Sequence, residues 1–433
     1  MGLNRRAFLA GSAALSLAGV AVTDPRYVRL AEARRQELVA LLESLIRIQS
    51  LSGESAADAQ AVVKAYLQAL PYRLEETADR PSRYVDHPEF MHPNPPGDGP
   101  FVNVIGWPAE GAGSGAAMFS HIDTHSIDDG WETDPFEPTM VGSRMYGLGT
   151  SDDKAGVAAM LVAAAILAEE GGPLPVVMSL HGKGGGSRGS LPVFERLSDT
   201  DHGIQSVLYV HPAETGRGLA DIKNAVLGVV DFELSVSGWR GPQMEIGSVD
   251  SSAWESGGNA LDMCWAALER LREGAFSDVD VNLGIMNGGD RVGSVADGAN
   301  AMIRLKFDGQ HTWRALLAAA RSDLATLADA HPGYQFSIEP SGYRTNPGAA
   351  DWDAPVSTTL RDAITDVTGR APDSYPNHYA GDIRYPIRLL GVPAYGIGSL
   401  GGNFYGPNEW VDVDDLVGLV AVLVQTLTNW ERL

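Results

Sequence analysis

In the stretch SHIDTH, His121 and Asp123 stand two residues apart. On an extended strand that spacing sends both side chains to one face. A histidine whose second ring nitrogen is held by a carboxylate is a usual metal ligand, although an incidental acid beside an ordinary histidine reads the same way. In GLGTSDDKAG, Gly147 and Gly149 end a turn and leave Asp152 at the start of a helical segment, with Ser151 or Asp152 as its cap. A third stretch, HGKGGGSRGS from His181 to Ser190, follows the apolar run LPVVMSL. It admits three chemistries. A phosphate cradle needs Ser or Thr after the lysine, which Lys183 lacks. Gly185-Gly186-Ser187-Arg188-Gly189 fits the G-x-S-x-G of a serine nucleophile, but His378 and Asp382 follow in the order opposite to that fold's. The third is an active-site loop whose acidic residues have been replaced.

The elements that must position these residues read as follows. Leu38, Leu41, Leu42, Leu45 and Ile46 mark a helix over Arg26–Gln49, and a second helix runs about Ser55–Leu70. Strands at Phe101–Gly106, Ala116–Asp123, VVMSLHG and SVLYVHP alternate with helices, so this half is an α/β layered domain with a mixed sheet flanked by helices. From about Gly218 the pattern changes to a long alternating strand at Ala225–Ser237, helices at Asn259–Arg272 and Trp313–Ala330, and further strands at Val281–Met286, Ala299–Phe307 and Tyr334–Glu339. Two helices and four strands predict an inserted α+β domain of ferredoxin-like pattern. The expected domains are 24–217 with 337–433, interrupted by 218–336.

Composition bounds the partners. Of 433 residues, 20% are charged and the net charge is −23, which argues against a nucleic-acid partner. A single cysteine, Cys264, excludes a disulfide framework and any multi-cysteine zinc site. Residues 1–23 carry Arg5-Arg6 before Phe8-Leu9 and a mild apolar run, the pattern of a twin-arginine export signal. A periplasmic or secreted protein without an integral membrane span after processing is expected.

Together the motifs resemble the dinuclear-zinc exopeptidases and aminoacylases (carboxypeptidase G type, succinyl-diaminopimelate desuccinylase, acetylornithine deacetylase). That family's H-x-D, W-x-x-D-P-F and G-R-G-x-x-D-x-K are matched by His121-Ile-Asp123, Trp131-Glu-Thr-Asp134-Pro135-Phe136 and Gly147-Leu-Gly149-Thr-Ser-Asp152-Asp-Lys154. Gly381-Asp382-Ile-Arg384 and Pro407-Asn408-Glu409 continue the likeness. The resemblance implies a zinc-exopeptidase-like α/β domain with a lid that also serves dimerisation, hence a homodimer. It makes His121 a zinc ligand, Asp123 its supporting partner and Asp152 the bridging carboxylate. His211-Pro212 stands where the family places an acidic ligand, with Glu214 close behind. Arg304 and His378 would face the substrate.

The departures are concentrated. Where the family has a water-activating Glu and a zinc-binding Glu, this chain has Lys183 and Gly184; Tyr405 replaces a ligand histidine, and Pro242 lies near the place of the lid histidine. The expected cofactor is therefore one zinc on His121, Asp152 and His211, rather than two. Lys183 either pairs with Asp152, replacing a metal by an ammonium, or points to solvent. Glu214 or a group that the sequence does not identify would replace the missing base, and Lys183 and Tyr405 are further catalytic candidates. Three activities follow: hydrolysis of an amide in an N-acyl amino acid or small peptide; a repurposed cyclisation, acyl transfer or elimination; or ligand binding without catalysis.

Overall fold

The computed structural model describes residues 25–51, 53–91, 99–182, 185–239, 258–290, 295–379 and 381–430. Its centre is an eight-stranded mixed sheet. Leu174–Leu180, Gly113–His121, Ser206–Val210 and Ala394–Ile397 run parallel side by side. Leu174–Leu180 and Ser206–Val210 are buried at every residue, as strands covered on both faces must be. The helices Lys154–Glu169 and Val413–Trp430 pack together against the sheet, and the first is buried from Lys154 to Leu167. The face Leu38, Leu41, Leu42, Leu45 and Ile46 joins the same core.

Two local expectations change. The single helix over Arg26–Gln49 is broken at Arg34 into Pro25–Ala33 and Arg35–Ile46. There the Arg34 guanidinium is captured by Glu37 and Glu169. Tyr72–Asp79, unforeseen as a strand, pairs antiparallel with Phe101–Pro108 at the sheet edge. Its half-exposed position accommodates the charges that obscured its periodicity.

The second sheet is antiparallel, in the order Asp280–Gly288, Gly298–Phe307, Ala225–Ser237, Gln335–Thr345. With Ala260–Glu273 and Trp313–Ala330 packed on it, this is the expected ferredoxin-like arrangement. Asn259 and Thr312 cap the two helices by accepting from Leu261 N and Ala315 N. Gly298–Phe307 alternates, burying Ala301, Ile303 and Leu305 while Arg304 looks the other way. Asp221–Lys223 still belongs to the large sheet, and the last lid strand continues to Thr345. The chain thus passes between the sheets a few residues later, at each crossing, than the boundaries 217 and 337 expected from sequence. Gly348–Ala349 and His378–Tyr379 pair with the first residues of Ala225–Ser237, tying the lid strand's root to the larger domain.

All four parallel strands end at one edge, where crevices form in open α/β sheets. HGKGGGSRGS lies there, and its described glycines serve close packing. A Cβ on Gly182 would press on the His121 ring, and one on Gly189 would enter the His181 backbone. Gly186 has φ +70°, and a Cβ there would collide with Asp382 and the Tyr385 ring. Ser187 is buried, its Oγ accepting from Met91 N at 2.7 Å, which leaves it no role as a nucleophile. Lys183 and Gly184 lie outside the described residues, as do Pro242 and the expected export signal. Gly186→Ala combines a disfavoured φ with overpacking and is expected to destabilise the protein by about 2 kcal/mol or more in urea unfolding.

Candidate metal centre

Three side chains, one from a strand end and two from loops, meet at this edge. His121 Nε2 lies 2.9 Å from Asp152 Oδ1, and His211 Nε2 lies 3.1 Å from the same oxygen. Their ligand atoms all fall within 4.8 Å of one another. His121 closes the strand Gly113–His121, and His211 directly follows Ser206–Val210, so adjacent parallel strands deliver the two rings. Burial opposes ionisation of Asp152, but the two imidazoles hold its carboxyl well below the usual range. Burial likewise opposes charge on His121, and Asp152 outweighs it, raising the imidazole well above its ordinary value.

Asp152 is not the helix cap. Asp153 holds that position, without a side-chain cap bond, and accepts from Ser120 Oγ at 2.6 Å. Asp152 is instead presented by a turn wrapped around Glu409. That buried carboxylate accepts from Gly149 N at 2.8 Å, Ser151 N at 2.7 Å and Asp152 N at 2.8 Å. Burial and the Asp152 charge push the Glu409 carboxyl up to about 7, against the pull of these donors.

Asp123 supports His121 differently from the expectation. The His121 Nδ1 contact is to the Asp123 backbone carbonyl, at 3.0 Å, while the carboxylate lies 3.7 Å away. That carboxylate accepts from Gly182 N at 2.6 Å and so anchors the glycine loop. His211 Nδ1 similarly faces the Pro212 carbonyl at 2.8 Å. Rings that donate from Nδ1 to a carbonyl keep the Nε2 lone pair for a metal. Two imidazoles and one carboxylate suit a single zinc ion with open positions.

Glu214, His378 and Tyr405 form a connected group beside His211. Glu214 Oε1 lies 3.9 Å from His211 Nε2 and accepts from His378 Nε2 and Tyr405 Oη, each at 3.1 Å. Both Glu214 and Tyr405 have φ 61°, a left-handed backbone uncommon outside glycine and costly enough to gather at functional sites. Burial raises Glu214, but His378, His211 and Lys223 prevail and hold its carboxyl low. Burial, then Lys223, lower His378 to about 4, so it is neutral at physiological pH. The Tyr405 phenol is pushed well up by burial and by Asp152 and Glu214.

Both Arg304 and His378 line the cleft, whose volume is about 830 Å³. The Arg304 guanidinium, however, is engaged by Asp231 on the neighbouring strand, Nε to Oδ1 at 2.6 Å and Nη2 to Oδ2 at 2.8 Å. Two cationic residues escaped the sequence reading. Lys223 is fully buried, with Nζ 3.2 Å from His211 Nδ1 and its pKa lowered by burial. Arg188 is also buried and lines the same cleft. DIKN and GSRGS carry no local signal of burial, because the covering atoms come from other strands.

With this geometry established, the comparisons are consistent. The family model for peptidase family M20/M25/M40 matches residues 117–429, and the chain belongs to that family. It is 26% identical over 404 residues to a succinyl-diaminopimelate desuccinylase of Gluconobacter oxydans (strain 621H), covering 90% of this chain and 97% of that one. In fold it is similar to the M20 family metallo-carboxypeptidase Sso-CP2 from Sulfolobus solfataricus, with TM-score 0.67 and 17% identity over 92% of this chain and 100% of that one. It is also similar to the Bacillus subtilis YXEP protein, a dinuclear metal binding peptidase from the M20 family, with TM-score 0.63 and 14% identity over 92% and 98% of the two chains.

Asp153 generates a pH prediction. Burial lifts its folded pKa to about 7, above the ordinary carboxyl value of 3.8. The folded state therefore binds more protons than the unfolded chain between those values, and this group's contribution to stability falls as pH rises from about 4 to 7. In metal-free protein, Asp153→Asn is expected to flatten that decline in urea unfolding followed across pH 4–8.

Proposed function

We propose that this chain is an exported amidohydrolase acting on an N-acyl amino acid or small peptide with one zinc ion held by His121, Asp152 and His211. The observation that carries this reading is the convergence of two imidazole Nε2 atoms on one oxygen of Asp152, with the Glu214 carboxylate alongside. Bound there, the ion would supply Lewis acidity toward a carbonyl and toward water. Glu214 is ionised and fixed by two donors at Oε1, which leaves its other oxygen, Oε2, to accept a proton. Tyr405 Oη stays protonated and gives its single O–H to Glu214, holding that carboxylate in place. Those roles replace the Glu that resemblance would put at Lys183. The likeness to a succinyl-diaminopimelate desuccinylase supports an amide substrate.

A second ion is disfavoured by the chemistry around Asp152. Tyr405, at the place of a ligand histidine, is neutral and bonded to Glu214, and the buried Lys223 brings a positive charge next to His211. The expected homodimer would pair the open edge strand Asp280–Gly288, on which Ile285 is half-exposed. No helix among the described residues is long and apolar enough to cross a membrane.

Metal analysis of the purified mature protein is expected to find one zinc per chain in a dimer by light scattering. His121→Ala should lose the metal together with at least about 10³-fold of amide hydrolysis, assayed on N-acyl amino acids and dipeptides. Two zinc ions per chain would overturn the single-ion site. One zinc with no turnover of any amide would instead favour the repurposed or binding activities. Export is tested separately: replacing Arg5-Arg6 by Lys-Lys should leave the precursor in the cytoplasm on fractionation, and unchanged export would refute the twin-arginine route.

A further inference from the structure

The mechanism above makes no use of Arg188. This residue sits between Ser187 and Gly189 in the turn that enters the helix Ser190–Ser198, and only 5% of it is exposed. It lines the cleft with His121, Asp123, Asp152 and Gly182. Its Nε is sealed from solvent without a hydrogen-bond partner. Among the described residues, the guanidinium makes no hydrogen bond and no ion pair; its near contact is the Phe101 ring, 5.4 Å from Cζ. The closest influence of opposite sign is Asp123, whose carboxylate is already engaged by Gly182 N.

Burying a guanidinium without a carboxylate is costly, and a cation–π contact returns only a small part of that cost. The other buried arginine at this edge illustrates the contrast. Arg384 is fully buried and both of its Nη atoms donate, Nη1 to Gly381 O and Nη2 to Gly185 O and Tyr385 Oη. Arg304, the cation expected from sequence to face the substrate, is neutralised by Asp231. Arg188 alone of these three keeps its planar fork unspent while facing the cleft.

We propose that Arg188 is a specificity-determining residue that receives a carboxylate of the substrate in a bidentate pair. A carboxylate matches the fork in shape and a single guanidinium in charge. A dianionic phosphate would face Asp123, Asp152, Glu214 and Asp382 around the same cleft. The proposal rests on the amidohydrolase reading only for the identity of the reaction, since carboxylate capture is measurable without turnover.

The test compares the metal-loaded wild-type protein with Arg188→Met, which keeps much of the volume and removes the charge. Binding of succinate and of its neutral analogue succinamide is followed by calorimetry. Wild type should prefer succinate at least about tenfold, and Arg188→Met should bind the two alike, with zinc content unchanged. Because the lost charge is unpaired, the melting temperature of the variant should be equal or higher. Where an amide is turned over, kcat/KM should fall at least about tenfold for an acyl group bearing a carboxylate and stay unchanged for its neutral counterpart. If Arg188→Met does not fold, Arg188→Lys, which retains charge but not the fork, is read against the same ligands. Succinate preference that survives in the folded variant overturns the proposal. So does a wild type that shows no such preference, or a lower melting temperature with the preference intact, which marks a structural residue. Absence of amide turnover with succinate preference lost in the variant leaves Arg188 assigned and removes only the hydrolase reading.

Discussion

The buried carboxylate of Glu409 is the constraint on which the rest of the site depends. The turn from Gly149 to Asp152 has three N–H groups pointing inward, and a buried donor without an acceptor costs about 1–3 kcal/mol. Glu409 satisfies all three from a strand-adjacent loop that is remote in sequence. Ser151 Oγ adds a further donor at 3.1 Å. The arrangement fixes the direction in which Asp152 leaves the backbone, and the two histidines find their common oxygen only because that direction is fixed. Gly401 and Gly149 complete the fit, since side chains there would collide with Ser151 and Thr124.

Around that anchor the cleft is a balance of buried charge. Asp152 and Glu214 are stabilised as anions by imidazoles and by Lys223, while Asp153 and Asp382 are pushed toward their neutral forms by burial. The Asp382 carboxylate accepts from Ser190 Oγ at 2.7 Å, which ties the glycine loop to the motif GDIR. A site with this many carboxylates attracts mobile cations unless protein ammonium and guanidinium groups already occupy the field. Lys223 and Arg188 are such groups.

Much of this was legible without coordinates. The pairing of His121 with Asp152 and His211 followed from motif order, and the ferredoxin-like lid from two helices among alternating strands. The alternation of Gly298–Phe307 already separated Arg304 from the lid core. Less legible was what each group touches. Asp123 reads as the carboxylate partner of His121, yet its oxygen is taken by Gly182 N and its carbonyl does the supporting. Asp152 reads as a helix cap, yet the cap is Asp153. Spacing reports which face a side chain leaves from and not which neighbour arrives first.

The amino-acid order by itself determined the element types, through apolar periodicity, and the family, through the combined motifs at His121, Trp131, Asp152 and Glu409. Both are properties of neighbouring residues along the chain, so local patterns carry them. Only the tertiary structure decided the electrostatics of the cleft. Glu214 meets Tyr405 and His378 from distant segments; Lys223 is sealed beneath Tyr209 and His211; Arg188 is covered next to Phe101. Burial and charge pairing depend on what the fold brings within a few ångströms, and the loop HGKGGGSRGS shows it. Its glycines suggested a cradle for a ligand, but they make room for His121, Asp382 and Tyr385, and its arginine faces the cleft.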